Sequence, residues 1–129
     1  MIIDDTYNSS PVACEFALKT LKEIKTVGRK IAILGDMREL GKYEIDAHRA
    51  IGNFAAERAD ILITVGLAAK FIADSAVNQM KAENVMSFDT SDEAKIKVQE
   101  IIREGDIILI KGSHAMQMEK IVEEISLRL

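Results

Sequence analysis

Five short apolar runs punctuate the chain, and between them apolar residues recur every three or four positions. The runs are Ile2 to Asp4, Lys30 to Leu34, Asp60 to Val65, Asn84 to Phe88 and Asp106 to Ile110. Three of them, Ile31-Ala-Ile-Leu34, Ile61-Leu-Ile-Thr-Val65 and Ile107-Ile-Leu-Ile110, are close to continuously apolar instead of alternating. Strands buried on both faces carry that pattern, as the strands of a parallel sheet do. Gly35, Gly66 and Gly112 stand just past these runs, where a strand tip has to turn into a loop.

The segments between the runs have helical periodicity. From Pro11 to about Thr26, the residues Cys14, Ala17, Leu18, Leu21 and Ile24 share one face. Ser10 is placed to cap that helix and Pro11 to occupy its first turn, where a missing N–H costs nothing. A second helix is expected from about Tyr43 to Ala59, with Ile45, His48, Ile51 and Ala55 on its apolar stripe. A third spans roughly Leu67 to Met80. The fourth opens on Thr90 and Glu93, spaced as a capping box, and ends at Gly105. A fifth is expected from near Ser113 to the C-terminus through Met116, Ile121, Val122 and Ile125. This alternation predicts an α/β domain with a Rossmann-like, doubly wound, mostly parallel sheet of about five or six strands and helices on both faces.

Composition narrows the class without naming a function. The 129 residues fit one domain, and 48% hydrophobic with 29% charged residues suits a globular core. The formal charge is −4 with both signs interspersed, so no basic stripe points to nucleic acid and no polybasic cluster to a membrane surface. No apolar run approaches the ~20 residues of a membrane span. A single cysteine, Cys14, allows no intrachain disulfide, and its place in an apolar stripe reads as core filler. A reducing, cytoplasmic compartment is the expectation.

Three loops after strands carry the candidate chemistry. They are Asp4-Asp-Thr-Tyr-Asn-Ser-Ser10, Gly35-Asp-Met-Arg-Glu-Leu-Gly41 and Lys111-Gly-Ser-His114. In open α/β sheets, ligands bind beyond the carboxyl ends of the strands, so these loops are expected to gather at one edge. Together they offer carboxylates, hydroxyls, an amide, cations and helix N-termini, a mixture suited to a small polar or anionic ligand. Each also has a plain structural reading. Asp4, Asp5 and Asp36 fit turn positions, Asn8, Ser9 and Ser10 fit helix entry, and Lys111 fits a solvated strand end. His48, on an apolar helix face, is expected to be a hydrogen-bonded core histidine, and His114 the likelier ligand contact. Two histidines so far apart form no metal motif, and Met116 and Met118 are spaced for packing. There is no G-x-x-x-x-G-K-[ST], no G-x-G-x-x-G after the first strand and no G-x-S-x-G. A chemistry-bearing loop so close to residue 1 suggests a piece cut from a longer chain.

Taken together, the three loops resemble the C-terminal domain of the Mur ligases, and within them the member that adds a D-alanyl-D-alanine dipeptide. Asp4-Asp-Thr-Tyr-Asn-Ser-Ser-Pro11 resembles that group's D-D-x-Y-N-A-N-P. Leu34-Gly-Asp-Met-Arg-Glu-Leu-Gly41 matches L-G-D-M-x-E-L-G, and Lys111-Gly-Ser-His-Ala-Met-Gln-Met-Glu119 resembles K-G-S-R-x-M-x-M-E. Ser9 and Ser10 replace the usual Ala and Asn, and His114 stands where Arg is common. The resemblance spans essentially the whole chain as one domain, residues 1–129. It implies an ATP-dependent ligase in which a peptide carboxylate is phosphorylated and the dipeptide amine attacks the acyl phosphate. Closure of the C-terminal domain would align the amine and exclude water.

The same resemblance implies the partners and the site. ATP and Mg²⁺ would be held mainly by a central domain, with UDP-MurNAc-tripeptide and D-Ala-D-Ala as substrates and the N-terminal and central domains as partners. It places Asp4, Asp5, Tyr7 and Asn8 near the adenosine of ATP. Asp36 and Glu39 would hold the dipeptide ammonium, and Lys111, Ser113 and His114 its carboxylate or a phosphate. No metal ligand and no catalytic group is expected in this segment, which alone should be inactive. Two other readings stay open: a stand-alone small-ligand or nucleotide-binding module of the same fold, and a receiver-like signalling domain. The second lacks the acid expected at the tip of the third strand, which reads Ile63-Thr-Val-Gly66.

Overall fold

A computed structural model describes residues 1–6, 10–113 and 116–127. Its five strands are β1 (Ile2–Asp5), β2 (Lys30–Gly35), β3 (Ile61–Val65), β4 (Val85–Phe88) and β5 (Ile107–Lys111). All neighbouring strands pair in parallel, in the order β1-β5-β2-β3-β4. The helices are α1 (Pro11–Glu23), α2 (Glu44–Ala56), α3 (Lys70–Ala76), α4 (Ser91–Ile101) and α5 (Glu119–Ser126). The expected doubly wound sheet is therefore present, with five strands. None of the helices among the described residues is long and apolar enough to cross a membrane.

The near-continuous apolar runs are explained by two separate cores. Side chains alternate across a strand, and each strand feeds both faces. Ala32, Leu34, Leu62 and Leu109 pack under α1, α2 and α3, against Leu18, Leu21, Ile51 and Ile72. Ile31, Ile33, Ile63, Ile108 and Ile110 pack under α4 and α5, against Ala94, Val98, Ile121 and Ile125. Strands β1, β2 and β3 thus lead to helices on one face, and β4 and β5 to helices on the other.

Side-chain caps mark two of the five helix starts. The Ser10 hydroxyl accepts the Ala13 N–H at 3.2 Å, and Pro11 opens α1. Thr90 accepts the Glu93 N–H at 3.2 Å at the start of α4, which is one half of the expected capping box. Two expectations need correction. Ile45 lies in the first turn of α2 and stays 43% exposed, outside the buried stripe of His48, Ile51 and Ala55. The last helix begins at Glu119 and not near Ser113. Gln117 has φ 54°, a left-handed conformation through which an α-helix cannot run.

Candidate functional site

The strand order decides the geometry. Strand β5 lies between β1 and β2, yet its chain leaves toward the opposite face from theirs. Neighbouring strands whose connections diverge leave a crevice at their carboxyl ends, where ligands bind in such sheets. The three motif-bearing loops follow these three strands, so their bases lie side by side.

At the centre of that edge Lys111 pairs in register with Asp5 on one side and Leu34 on the other. Its side chain is 1% exposed, and Nζ donates to Asp5 Oδ2 at 2.5 Å. Asp5 is different: 47% of its side chain remains exposed. A buried ammonium is thus held by a carboxylate that still faces outward. Asp4, one position earlier, projects to the other face and accepts the Thr6 N–H at 3.2 Å in a local turn. The period of two along the strand therefore separates two carboxylates that are adjacent in sequence.

Beyond Lys111 the chain passes Gly112, where a Cβ would fall 2.7 Å from Met118 Cγ. Glycine allows the Met118 side chain to close over the strand tips, and that methionine is fully buried. Ser113 follows, and its Oγ is buried with no hydrogen-bond partner among the described residues. Buried hydroxyls are nearly always paired, so this one stands out. Tyr7, Asn8 and His114 lie outside the described residues.

The loop after β2 is pinned at its base. Asp36 Oδ1 accepts the Ala69 N–H at 2.7 Å, tying the tip of β2 to the approach of α3. Gly66 makes room for this: at φ 119°, a Cβ there would fall 2.2 Å from Asp36 Oδ1. Met37 is fully buried, and its N–H donates to His48 Nε2 at 3.0 Å. His48 is completely buried, as a core histidine should be. Arg38 and Glu39, by contrast, are exposed, and Glu39 sits at φ 62°. The structure therefore brings Asp5, Lys111 and Ser113 to one edge with the Asp36 to Glu39 loop beside them, while Asp36 itself is engaged with the backbone of Ala69.

A cavity of about 230 Å³ opens further along the same edge, lined by Asp89, Thr90, Ser91, Asp92, Met116 and Gln117. The sequence pattern did not mark it. Its carboxylates are already engaged: Asp89 with Lys70 at 2.8 Å, and Asp92 with Lys95 and Lys120 at 3.4 Å. Among the described residues no group of three or more His, Cys, Asp or Glu side chains converges on a metal-sized site.

Fold and site together define a doubly wound α/β domain in which the tips of the first, last and second strands lie side by side. The chain belongs to the family described as Mur ligase, glutamate ligase domain, which matches residues 1–114. Among curated relatives it is 32% identical over 125 residues, 96% of this chain, to UDP-N-acetylmuramoyl-tripeptide--D-alanyl-D-alanine ligase of Bacillus subtilis, covering 27% of that protein. Among solved structures, MurF from Acinetobacter baumannii superposes with a TM-score of 0.83 at 28% identity, over 95% of this chain and 27% of that one. The Thermotoga maritima MurF ligase, in complex with ADP, superposes with a TM-score of 0.78 at 26% identity, over 99% of this chain and 29% of that one. The chain spans about a quarter of the length of the curated relatives it matches.

Proposed function

We propose that this chain serves as the C-terminal domain of an ATP-dependent cytoplasmic ligase that joins D-Ala-D-Ala to UDP-MurNAc-tripeptide, a step of peptidoglycan precursor synthesis. The observation that carries the reading is the placement of β5 between β1 and β2, which brings the bases of the three motif-bearing loops side by side. The likeness to the Bacillus subtilis ligase over 96% of the chain supports the choice of reaction. The rest of the ligase, its N-terminal and central domains, is the proposed partner.

The donor set fits a nucleotide and a zwitterionic dipeptide. Asp5 presents a half-exposed carboxylate to hydroxyl donors such as those of a ribose, with Tyr7 and Asn8 assigned beside it. Lys111 holds Asp5 in place and brings positive charge to the crevice floor. The buried hydroxyl of Ser113 offers a donor and an acceptor that no described residue engages. It is assigned with His114 to the dipeptide carboxylate or a phosphate. Glu39, exposed on a pinned loop, is assigned to the dipeptide ammonium with Asp36. ATP supplies the phosphate that activates the acceptor carboxylate, and Mg²⁺ is assigned to the central domain. This chain's part is to orient the amine and to exclude water on closure.

The test is a chimera in which residues 1–129 replace the matching part of the Bacillus subtilis ligase. ATP-dependent ligation of D-Ala-D-Ala is expected from the chimera, not from the chain alone, and Asn8→Ala should abolish it. Ligation by residues 1–129 alone, or a folded chimera that binds both substrates and does not ligate, would overturn the reading.

A further inference from the structure

We propose that His48 is a positioning residue for the loop that follows β2. Its ring makes two contacts with opposite requirements. Nε2 lies 3.0 Å from the Met37 nitrogen, a backbone N–H that can only donate. Nδ1 lies 2.6 Å from the Glu44 carbonyl, which can only accept. One assignment satisfies both: a neutral imidazole with its proton on Nδ1. In that form the ring is a strut between the first turn of α2 and the second residue of the loop.

The strut acts with two other anchors. The Met37 side chain is buried under α1 and α2, and Asp36 holds the Ala69 N–H at 2.7 Å. Residues 36 and 37 are thereby fixed from three directions. The next two residues are left projecting: Arg38 and Glu39 are exposed, neither side chain has a partner among the described residues, and Glu39 is held at φ 62°. A non-glycine residue in that conformation persists only where its surroundings over-determine it. The buried histidine supplies that determination from behind the loop, without facing the crevice itself. The consequence for substrate rests on the proposed role of Asp36 and Glu39 toward the dipeptide ammonium.

The first test uses the 129-residue chain. Its imidazole ¹⁵N spectrum should show His48 as the neutral Nδ1–H tautomer. In His48→Leu the Met37 amide should exchange on the order of 10-fold faster, for loss of one buried acceptor. The amides of Ile33 and Ile63 should be unchanged, and His48→Gln, which offers an acceptor near the Nε2 position, should restore protection at Met37. An Nε2–H tautomer, unchanged exchange at Met37 in His48→Leu, or no rescue by His48→Gln would each overturn the proposal. If His48→Leu does not fold, the wild-type tautomer and the Gln variant decide. The second test uses the chimeric ligase. His48→Leu should raise KM for the dipeptide more than it lowers kcat, with rescue by His48→Gln. A loop released in the exchange experiment with an unchanged dipeptide KM would leave the positioning role standing and overturn the assignment of the loop to the dipeptide.

Discussion

Two ion pairs sit at opposite ends of the same interior strand, β5, and they are built differently. At the amino end of β5, Asp106 is 3% exposed and fully engaged. It accepts Arg29 Nε at 3.0 Å, a second Arg29 nitrogen at 2.8 Å and the Arg103 N–H at 2.8 Å. Arg29 also donates to the Ile101 carbonyl at 2.7 Å. At the carboxyl end the burial is reversed. The cation, Lys111, is buried, its carboxylate partner is half exposed, and the neighbouring Ser113 hydroxyl has no partner among the described residues. The first cluster is closed and complete, as a structural clasp is. The second leaves the Asp5 carboxylate half exposed at the strand tips, the kind of acceptor the proposed binding edge would use.

Removing the cation from each end should separate the two roles, and this is the largest effect expected. Arg29→Met strands a buried carboxylate, and breaking such a pair costs several kcal/mol. With Arg29 about a quarter exposed, a loss of about 3 kcal/mol in urea unfolding is expected. Lys111→Met leaves Asp5 able to turn to water, so the stability change should stay within about 1 kcal/mol. In the chimeric ligase the order should reverse. Lys111→Met should cost on the order of 100-fold in kcat/KM, the upper scale of one lost charge-assisted hydrogen bond in a binding site. Arg29→Met should lose activity only through unfolding. Equal stability losses from the two variants would abolish the distinction.

The amino-end clasp also makes a pH prediction. Burial by itself would raise the Asp106 carboxyl, but the hydrogen bonds from Arg29 and the Arg103 N–H and the charge of Arg29 outweigh it, and the group titrates below the ordinary value of 3.8. A carboxyl depressed on folding adds stability above its unfolded pKa and loses it as pH falls through the folded one. In Arg29→Met, burial remains and the main compensation is gone, so protonation of Asp106 becomes favourable to folding. The stability gap between wild type and Arg29→Met should therefore be widest above about pH 5 and narrow as pH falls below 3.8. A gap that stays constant from pH 7 to 3 would mean that the pair contributes nothing to the acid limit of the fold.

The sequence made the sheet and most of this edge legible because strand tips and apolar periods are local signals. Every strand was placed to within a residue, since Ile31–Leu34 and Ile107–Ile110 are buried on both faces whatever lies around them. What stayed hidden depends on partners distant in sequence. Asp36 reads equally as a turn former or a ligand carboxylate, and its bond from the Ala69 N–H, 33 residues on, becomes visible only in the fold. Lys111 reads as a solvated strand end until β1 is placed beside β5, more than 100 residues away in sequence. The start of α5 was misjudged because the left-handed Gln117 has no glycine to announce it. The cavity at Asp89 to Asp92 needs the segments that follow β4 and β5 to meet across β2 and β3, which no periodicity encodes.

The smallest expected effect concerns the departure from the family pattern at Ser10, where the resembled motif carries Asn. The structure gives this position one visible task, to cap α1 by accepting the Ala13 N–H at 3.2 Å. Asn and Ser are nearly equal in that role, whereas Ala loses about 1 kcal/mol at a cap. Ser10→Asn should thus change unfolding free energy by less than about 0.5 kcal/mol, and Ser10→Ala should lower it by about 1 kcal/mol. The same should hold for Thr90→Ala on α4, where Thr90 caps through the Glu93 N–H a helix that packs on the opposite face of the sheet from α1. If ligation by the chimera falls in Ser10→Ala no further than in Thr90→Ala, Ser10 acts through the helix alone. A selective loss in Ser10→Ala, rescued by Ser10→Asn, would move this residue from the clasp side of the comparison to the binding side.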